Sequence, residues 1–130
     1  MADQTKKVLI VEDDEGFRAI LEKSFEGSDL GTITAGDGEE GLEKAKAENP
    51  DLILLDIMMP KMDGIQMAKK LKEAGINSPI IYLTNVNDDR RISEAMEISG
   101  ANVDYIVKTD MRIGEIIERV KNRLSPKNPI

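Results

Sequence analysis

Five short apolar runs alternate along the chain with five amphipathic stretches, and this alternation constrains the fold more than any other feature. The runs cover residues 8–11, 30–35, 52–55, 79–83 and 103–107. The amphipathic stretches cover residues 14–26, 37–48, a segment starting at 63, 88–99 and 110–124. Apolar strands that alternate with helices are typical of a parallel sheet covered on both faces. We therefore predict an α/β fold: a flavodoxin-like, doubly wound five-stranded parallel sheet in the order 2-1-3-4-5 with five helices.

Helical spacing predicts which side chains face the sheet, and acidic residues mark where helices begin. We expect Asp14 to cap the first helix, and capping boxes to form between Asp37 and Glu40 and between Asp63 and Gln66. The residues predicted to face inward are Phe17, Ile20, Leu21 and Phe25 in the first helix, Leu42 and Ala45 in the second, Ile92, Ala95, Met96 and Ile98 in the fourth, and Ile113, Ile116, Ile117, Val120 and Leu124 in the fifth.

The chain has 130 residues, and this length predicts one domain, over residues 1–124, followed by a short tail over residues 125–130. We expect no second domain after Leu124. No run is long enough for a signal-peptide core or a membrane span, so we expect a cytoplasmic protein. The net charge of −7 argues against direct binding to nucleic acid or to an anionic membrane.

The chain has no Cys and no His. Disulfides, thiolate nucleophiles and histidine bases are therefore excluded, and any site must use carboxylates, hydroxyls and Lys. Such residues stand at the ends of four predicted strands: Glu12 and Asp13 after the first, Asp56 after the third, Thr84 after the fourth and Lys108 after the fifth. Each alone is more often a cap, a turn residue or a solvated strand end. Because parallel strands end at one edge of the sheet, however, the fold gathers all five there.

Three carboxylates and one ammonium leave excess negative charge in a small space, which a bound cation would relieve. Oxygen ligands of this kind suit Mg²⁺ (or Mn²⁺). A carboxylate beside a cation, with Lys and a hydroxyl nearby, is an arrangement that can accept a phosphoryl group.

Four segments resemble the receiver domain of bacterial two-component response regulators, of the single-domain chemotaxis-regulator type. They are VLIVED at 8–13, DLILLDIMMPKMDG at 51–64, IIYLT at 80–84 and DYIVK at 104–108. The resemblance covers nearly the whole chain. It implies a phosphoacceptor switch, acting as an enzyme only on its own phosphorylation and dephosphorylation. The phosphoryl group would come from a sensor histidine kinase or a phosphotransfer protein.

The resemblance also implies residue roles. Asp56 would be the phosphoacceptor, and Glu12, Asp13, Asp56 and the Met58 backbone carbonyl would hold the metal. Thr84 and Lys108 would contact the phosphoryl group, and Tyr105 would turn inward with Thr84. The signalling face, to an unknown downstream protein, would be the fourth helix, fifth strand and fifth helix, with Tyr105 and the charges Arg90, Arg91, Glu94, Arg112, Glu115 and Arg119.

Three features depart from the family pattern. Thr109 stands where Pro usually follows the Lys, and in the family that bond is often cis. Because a cis peptide bond before a non-Pro residue is costly, it is an open question whether the Lys108–Thr109 bond is cis or trans. Asn85 stands where a small residue is usual, and residues 100–105 are about one residue longer than the common pattern.

Met58 and Val86 flank the site and cannot hold a hydrolytic water, so we expect slow loss of the phosphoryl group.

Three other functions stay open at this point. A binding module of the same fold that is not phosphorylated is compatible with Thr109 and Asn85. A phosphatase with an aspartyl nucleophile commonly needs a general acid two residues after it, and Met58 stands there. A flavin-binding protein is disfavoured by the absence of Trp and of a phosphate loop rich in Ser, Thr or Gly after the first strand.

Overall fold

The structure is a computed structural model that describes residues 5–85, 89–99 and 104–125. Its strands are β1 (Lys7–Val11), β2 (Gly31–Ala35), β3 (Leu52–Asp56), β4 (Ile80–Thr84) and β5 (Asp104–Val107). Its helices are α1 (Glu15–Ser24), α2 (Gly38–Glu48), α3 (Gly64–Glu73), α4 (Asp89–Ser99) and α5 (Ile113–Leu124). The predicted start of a helix at Asp88, the start of a strand at Val103 and most of the tail lie outside the described residues.

All strand pairs are parallel, and the sheet order is β2-β1-β3-β4-β5. This confirms the predicted flavodoxin-like topology. The order reverses at β1, where the chain passes first to β2 on one side and then to β3 on the other. A doubly wound sheet opens a crevice at that point, at the carboxyl ends of the strands.

Both faces of the sheet are buried, which explains why the strands are apolar at successive positions. Alternate residues of one strand enter different cores. Leu9 and Val11 of β1 pack in the core under α2, α3 and α4. Val8 and Ile10 pack in the core under α1 and α5. A substitution in a central strand therefore disturbs one helical layer and leaves the other in place.

Acidic caps begin three of the helices. The Asp14 and Asp37 carboxylates accept from the third backbone N–H of α1 and α2. Asp63 and Gln66 form both halves of a capping box at α3. The predicted box at α2 is only half formed, because the Glu40 carboxylate accepts from Gly36 N–H, one residue earlier than expected.

Three sequence predictions about helices were wrong. Ile20 and Met96 are about half exposed, at 51% and 48%, because the buried stripes of α1 and α4 are narrower than their apolar spacing allows. The last helix begins at Ile113 and not at Asp110. Residues Lys108–Asp110 form a 3-10 turn, and Met111 and Arg112 are extended before α5 begins.

The helices that the structure describes include none with the length and apolar character needed to cross a membrane.

Candidate functional site

The register of the sheet brings the predicted site residues to one edge. Val11, the last residue of β1, lies beside Leu55, so Glu12 leaves its strand next to Asp56. Thr84 at the end of β4 lies beside Val107, and Lys108 follows directly. Residues that are far apart in the sequence therefore meet because parallel strands end together.

Three carboxylates form the centre of the site. Oxygen atoms of Glu12, Asp13 and Asp56 all lie within 4.8 Å of one another. Glu12 is fully buried and Asp56 is 2% exposed, whereas Asp13 is exposed. Two buried acids with a third at the opening make a negative pocket that water reaches mainly from the side of Asp13.

Lys108 supplies the positive charge. Its Nζ lies 2.7 Å from Glu12 Oε1 and 3.4 Å from Asp56 Oδ2, and its side chain is only 10% exposed. The ammonium also stands over the Phe17 ring of α1, 4.8 Å from the ring centroid. One cation against three carboxylates leaves the site with a net negative charge.

The Asp56 carboxyl responds to this environment. Burial first, and the nearby Glu12 carboxylate second, raise the pKa of Asp56 from 3.8 to about 8, while Lys108 opposes the change. Without a further cation, the acid holds its proton near neutral pH, and a bound cation would favour its ionised form.

Backbone contacts hold the acids in place. Asp14 N–H donates to Glu12 Oε2 at 3.1 Å, and Met58 N–H donates to Asp56 Oδ1 at 3.2 Å. The Arg18 guanidinium of α1 donates to the Glu12 carbonyl at 2.9 Å. The two backbone N–H bonds fix the directions of the Glu12 and Asp56 carboxylates before any ligand arrives, and the Arg18 bond holds the Glu12 backbone.

The loop from Asp56 to α3 is pinned at Gly64. Gly64 N–H donates to the Ile57 carbonyl at 2.9 Å, and a Cβ at this position would collide with the Asp56 carbonyl. The start of α3 can approach the end of β3 this closely only because residue 64 has no side chain.

The remaining predicted residues take different positions. Thr84 is buried at 2% exposure, whereas Tyr105 is 39% exposed and faces outward. Asn85, one of the departures, lines the site pocket, but Val86 lies outside the described residues. Among the described residues no peptide bond is cis, so the bond from Lys108 to Thr109 is trans.

The pocket over the carboxylates has a volume of about 360 Å³. Its lining residues are Glu12, Asp13, Asp14, Phe17, Asp56, Met58, Asn85 and Lys108. Phe17 was predicted only as a core residue, and Arg18 was not among the predicted site residues. Their positions beside the site depend on how α1 lies against the sheet, and no local signal indicates this.

The donor set fits a hard divalent cation. Carboxylate oxygens are the ligands Mg²⁺ prefers, and the cluster combines buried acids with one exposed acid that leaves room for water ligands. The raised pKa of Asp56 is the consequence of burial first and of the nearby Glu12 carboxylate second, and a bound cation would relieve the repulsion between the two acids.

Fold and site together define an α/β domain with a buried aspartate at the centre of an acidic pocket, and comparison with known proteins gives the family. The profile of the response regulator receiver domain matches residues 8–121. The chain belongs to this family: it is a receiver domain of two-component response regulators, whose members accept a phosphoryl group on an aspartate. The predicted domain limits of 1 and 124 stay a prediction.

Curated relatives include the alkaline phosphatase synthesis transcriptional regulatory protein PhoP of Bacillus subtilis, 43% identical over 103 residues, which are 79% of this chain and 42% of that protein. The transcriptional regulatory protein AfsQ1 of Streptomyces coelicolor is 37% identical over 118 residues, 86% of this chain and 51% of the relative. The chain thus spans about half the length of the curated relatives it matches.

Solved structures agree with the fold. The Francisella response regulator 1452 receiver domain has a TM-score of 0.80 at 33% identity, covering 91% of this chain and 95% of that one. The Vibrio cholerae chemotaxis protein CheY4 has a TM-score of 0.82 at 26% identity, covering 92% and 99%.

Proposed function

We propose that Asp56 is the phosphoacceptor of this receiver domain and that Lys108 and Thr84 assist the transfer. The observation that supports this most is the contact set of Asp56. A buried carboxylate lies 3.4 Å from a nearly buried ammonium and within 4.8 Å of two more acids. A purely structural buried acid would need a cation partner but would not need two other acids beside it.

In the proposed reaction an Asp56 oxygen attacks the phosphorus of a phosphohistidine on a sensor histidine kinase or phosphotransfer protein. The new aspartyl P–O bond forms as the P–N bond breaks, and the leaving imidazole nitrogen takes up a proton. Lys108, already beside Asp56, neutralises charge on the incoming phosphoryl oxygens. Thr84, at the end of the neighbouring strand, supplies a hydroxyl that donates to one of them.

Glu12, Asp13 and Asp56, with the Met58 backbone carbonyl, would hold Mg²⁺ (or Mn²⁺). When bound, the ion would neutralise phosphoryl charge as a Lewis acid. Glu12 is already held by Asp14 N–H through one oxygen and faces Lys108 through the other. Asp13, the exposed acid, is the ligand that offers the ion an open path to the pocket.

The proposal includes self-catalysed dephosphorylation, and Met58 is expected to make it slow. The Met58 side chain is 55% exposed at the mouth of the pocket. Its thioether cannot orient the water that would break the aspartyl P–O bond. Asn85, which also lines the pocket, carries an amide that could orient a water, and it is the residue that works against slow decay.

The proposed output surface is α4, β5 and α5, facing an unknown downstream protein. Tyr105 is exposed there. Three of the charges expected on this face are paired inside the domain: Arg91 contacts Asp63 at 2.6 Å and Glu94 at 3.2 Å, and Arg119 contacts Asp104 at 2.6 Å. A partner could therefore meet the exposed Tyr105 side chain without first breaking one of these ion pairs. With a histidine kinase as donor, we propose a cytoplasmic location.

The decisive experiment is labelling with acetyl phosphate, a small phosphodonor that needs no kinase. With Mg²⁺ present, intact-mass analysis should show one added phosphoryl group on the wild type and none on Asp56→Asn. Asp51→Asn is the matched control, because Asp51 is an exposed acid just before β3 and its carboxylate accepts only from the Lys7 N–H in the described contacts. Equal labelling of Asp56→Asn would remove Asp56 as acceptor.

Labelling, together with measurements of Mg²⁺ binding and of phosphoester turnover, separates the alternative functions. An unlabelled wild type that still binds Mg²⁺ would favour the binding module. Steady release of product from a phosphoester would favour the phosphatase, which the apolar Met58 side chain makes a poor candidate.

A further inference from the structure

The contacts of Lys108 point to a role for Phe17 that its place in the core does not require. Phe17 packs at the edge of the core under α1 and α5 and is partly exposed. Its ring also forms a wall of the site pocket, and the Lys108 ammonium stands over it. A core position could be filled by any apolar residue of similar size, whereas attraction of an ammonium needs the face of an aromatic ring.

The ammonium is held by three partners of different kinds. Glu12 Oε1 is nearest at 2.7 Å, Asp56 Oδ2 is at 3.4 Å, and the ring centroid is at 4.8 Å. The two carboxylates belong to the same cluster that would hold a divalent cation. Once a cation binds those carboxylates, their attraction for Lys108 falls and the two cations repel each other. The ring is the one partner of the three that a cation does not engage.

We infer that Phe17 is a positioning residue for Lys108: its ring face keeps the ammonium beside Asp56 when a bound cation takes up the Glu12 carboxylate. This rests on the proposed function, in which Lys108 must be near Asp56 at the moment of transfer. Without the ring, the Lys108 side chain would gain more by turning out to water, because only a tenth of it is exposed in the present position.

Two variants separate the ring face from simple packing. Phe17→Leu keeps an apolar side chain in the core but removes the aromatic face, and Phe17→Tyr keeps the face. Ile20→Ala serves as control, because Ile20 lies on the same helix, is half exposed and is outside the pocket. Denaturant unfolding of each variant first shows that the fold is intact.

The first measurement is NMR of the Lys108 ε-methylene group, assigned by comparison with Lys108→Arg. Protons over a ring face resonate upfield of those in solvent-exposed lysines. The upfield position should be present in wild type, Phe17→Tyr and Ile20→Ala, and should persist when Mg²⁺ is added. It should be lost in Phe17→Leu. Return of the wild-type signal to the ordinary lysine position on adding Mg²⁺ would overturn the inference.

The second measurement is the rate of labelling by acetyl phosphate. Phe17→Leu should label roughly three- to tenfold more slowly, which is the change expected for a partly desolvated cation–π contact. Phe17→Tyr should stay within about twofold of wild type on the same grounds. Wild-type rates in Phe17→Leu would refute the positioning role. A wild type that is not labelled at all contradicts the proposed function instead, and the NMR measurement still decides where Lys108 lies.

Discussion

Replacing Asp56 by Asn should stabilise the metal-free protein, and the gain should grow with pH. Burial and Glu12 raise the pKa of Asp56 from 3.8 to about 8. The folded protein therefore binds the Asp56 proton more tightly than the unfolded chain does. Between these two values the unfolded chain carries fewer protons, so stability falls as pH rises from about 4 to about 8. Asn has nearly the same shape and no charge to bury.

The size of the effect has a clear upper limit. Each pKa unit corresponds to about 1.36 kcal/mol, so a change from 3.8 to about 8 amounts to about 6 kcal/mol once the pH exceeds the higher value. Entry of water and small shifts of the carboxylates reduce such costs considerably. Asn also loses the attraction of Lys108. We expect a gain on the order of 2 kcal/mol at pH 8, and none below pH 4.

Urea unfolding in the presence of EDTA, at pH 5, 6, 7 and 8, measures this directly. The difference in unfolding free energy between Asp56→Asn and wild type should widen steadily over the series. Asp51→Asn, which changes an exposed acid just before the same strand, should show no such trend. Two results would refute the reasoning that the buried Asp56 carboxylate destabilises the fold. One is a difference in unfolding free energy that does not depend on pH, and the other is a wild type that is more stable than Asp56→Asn at pH 8.

Four further outcomes are expected. Asp13→Ala should abolish Mg²⁺ binding measured by calorimetry while the circular dichroism spectrum stays unchanged. In the wild type, the affinity for Mg²⁺ should rise from pH 6 to pH 8, because protons compete with the ion for the buried Asp56 carboxylate. Met58→Asn should lose its phosphoryl group several times faster than wild type in a decay assay; equal rates would show that Met58 does not shield the site. Asp63→Asn still caps α3 but lacks the charge that Arg91 contacts, so it should lower the free energy of unfolding by at most about 1 kcal/mol. Asp63→Ala also loses the cap and should lower it by about 1 kcal/mol more, as measured by urea unfolding. Gly64→Ala should lower the free energy of unfolding by about 1–3 kcal/mol or more, because a methyl group would collide with the end of β3. An unchanged melting temperature would contradict that close approach.

Much of the fold could be predicted from the sequence because its signals are local. Short apolar runs such as 8–11 and 52–55 are typical of strands buried on both faces, and the structure contains them within β1 and β3. The caps at Asp14 and Asp63 depend on hydrogen bonds within one helical turn. Five such units close in few ways, and the parallel topology then places all strand ends at one edge.

The candidate site was predictable for the same reason. Glu12 and Lys108 directly follow a strand and Asp56 is the last residue of one, so knowing that the sheet is parallel is enough to bring them together. What the sequence could not supply is how closely they meet, since the 2.7 Å contact from Lys108 to Glu12 depends on the 3-10 turn that replaces the predicted start of the last helix.

The sequence by itself thus determined the strands and the residues at their ends, because the spacing of apolar residues specifies these. The strand order could be predicted because five parallel units close in few ways. Only the tertiary structure decided contacts between side chains of different elements. Phe17 and Ile20 share one apolar spacing, yet the first lies under the Lys108 ammonium and the second points to water. The physical reason is that periodicity states which side of a helix is apolar, whereas the tilt and placement of that helix on the sheet decide which of those residues reach a partner.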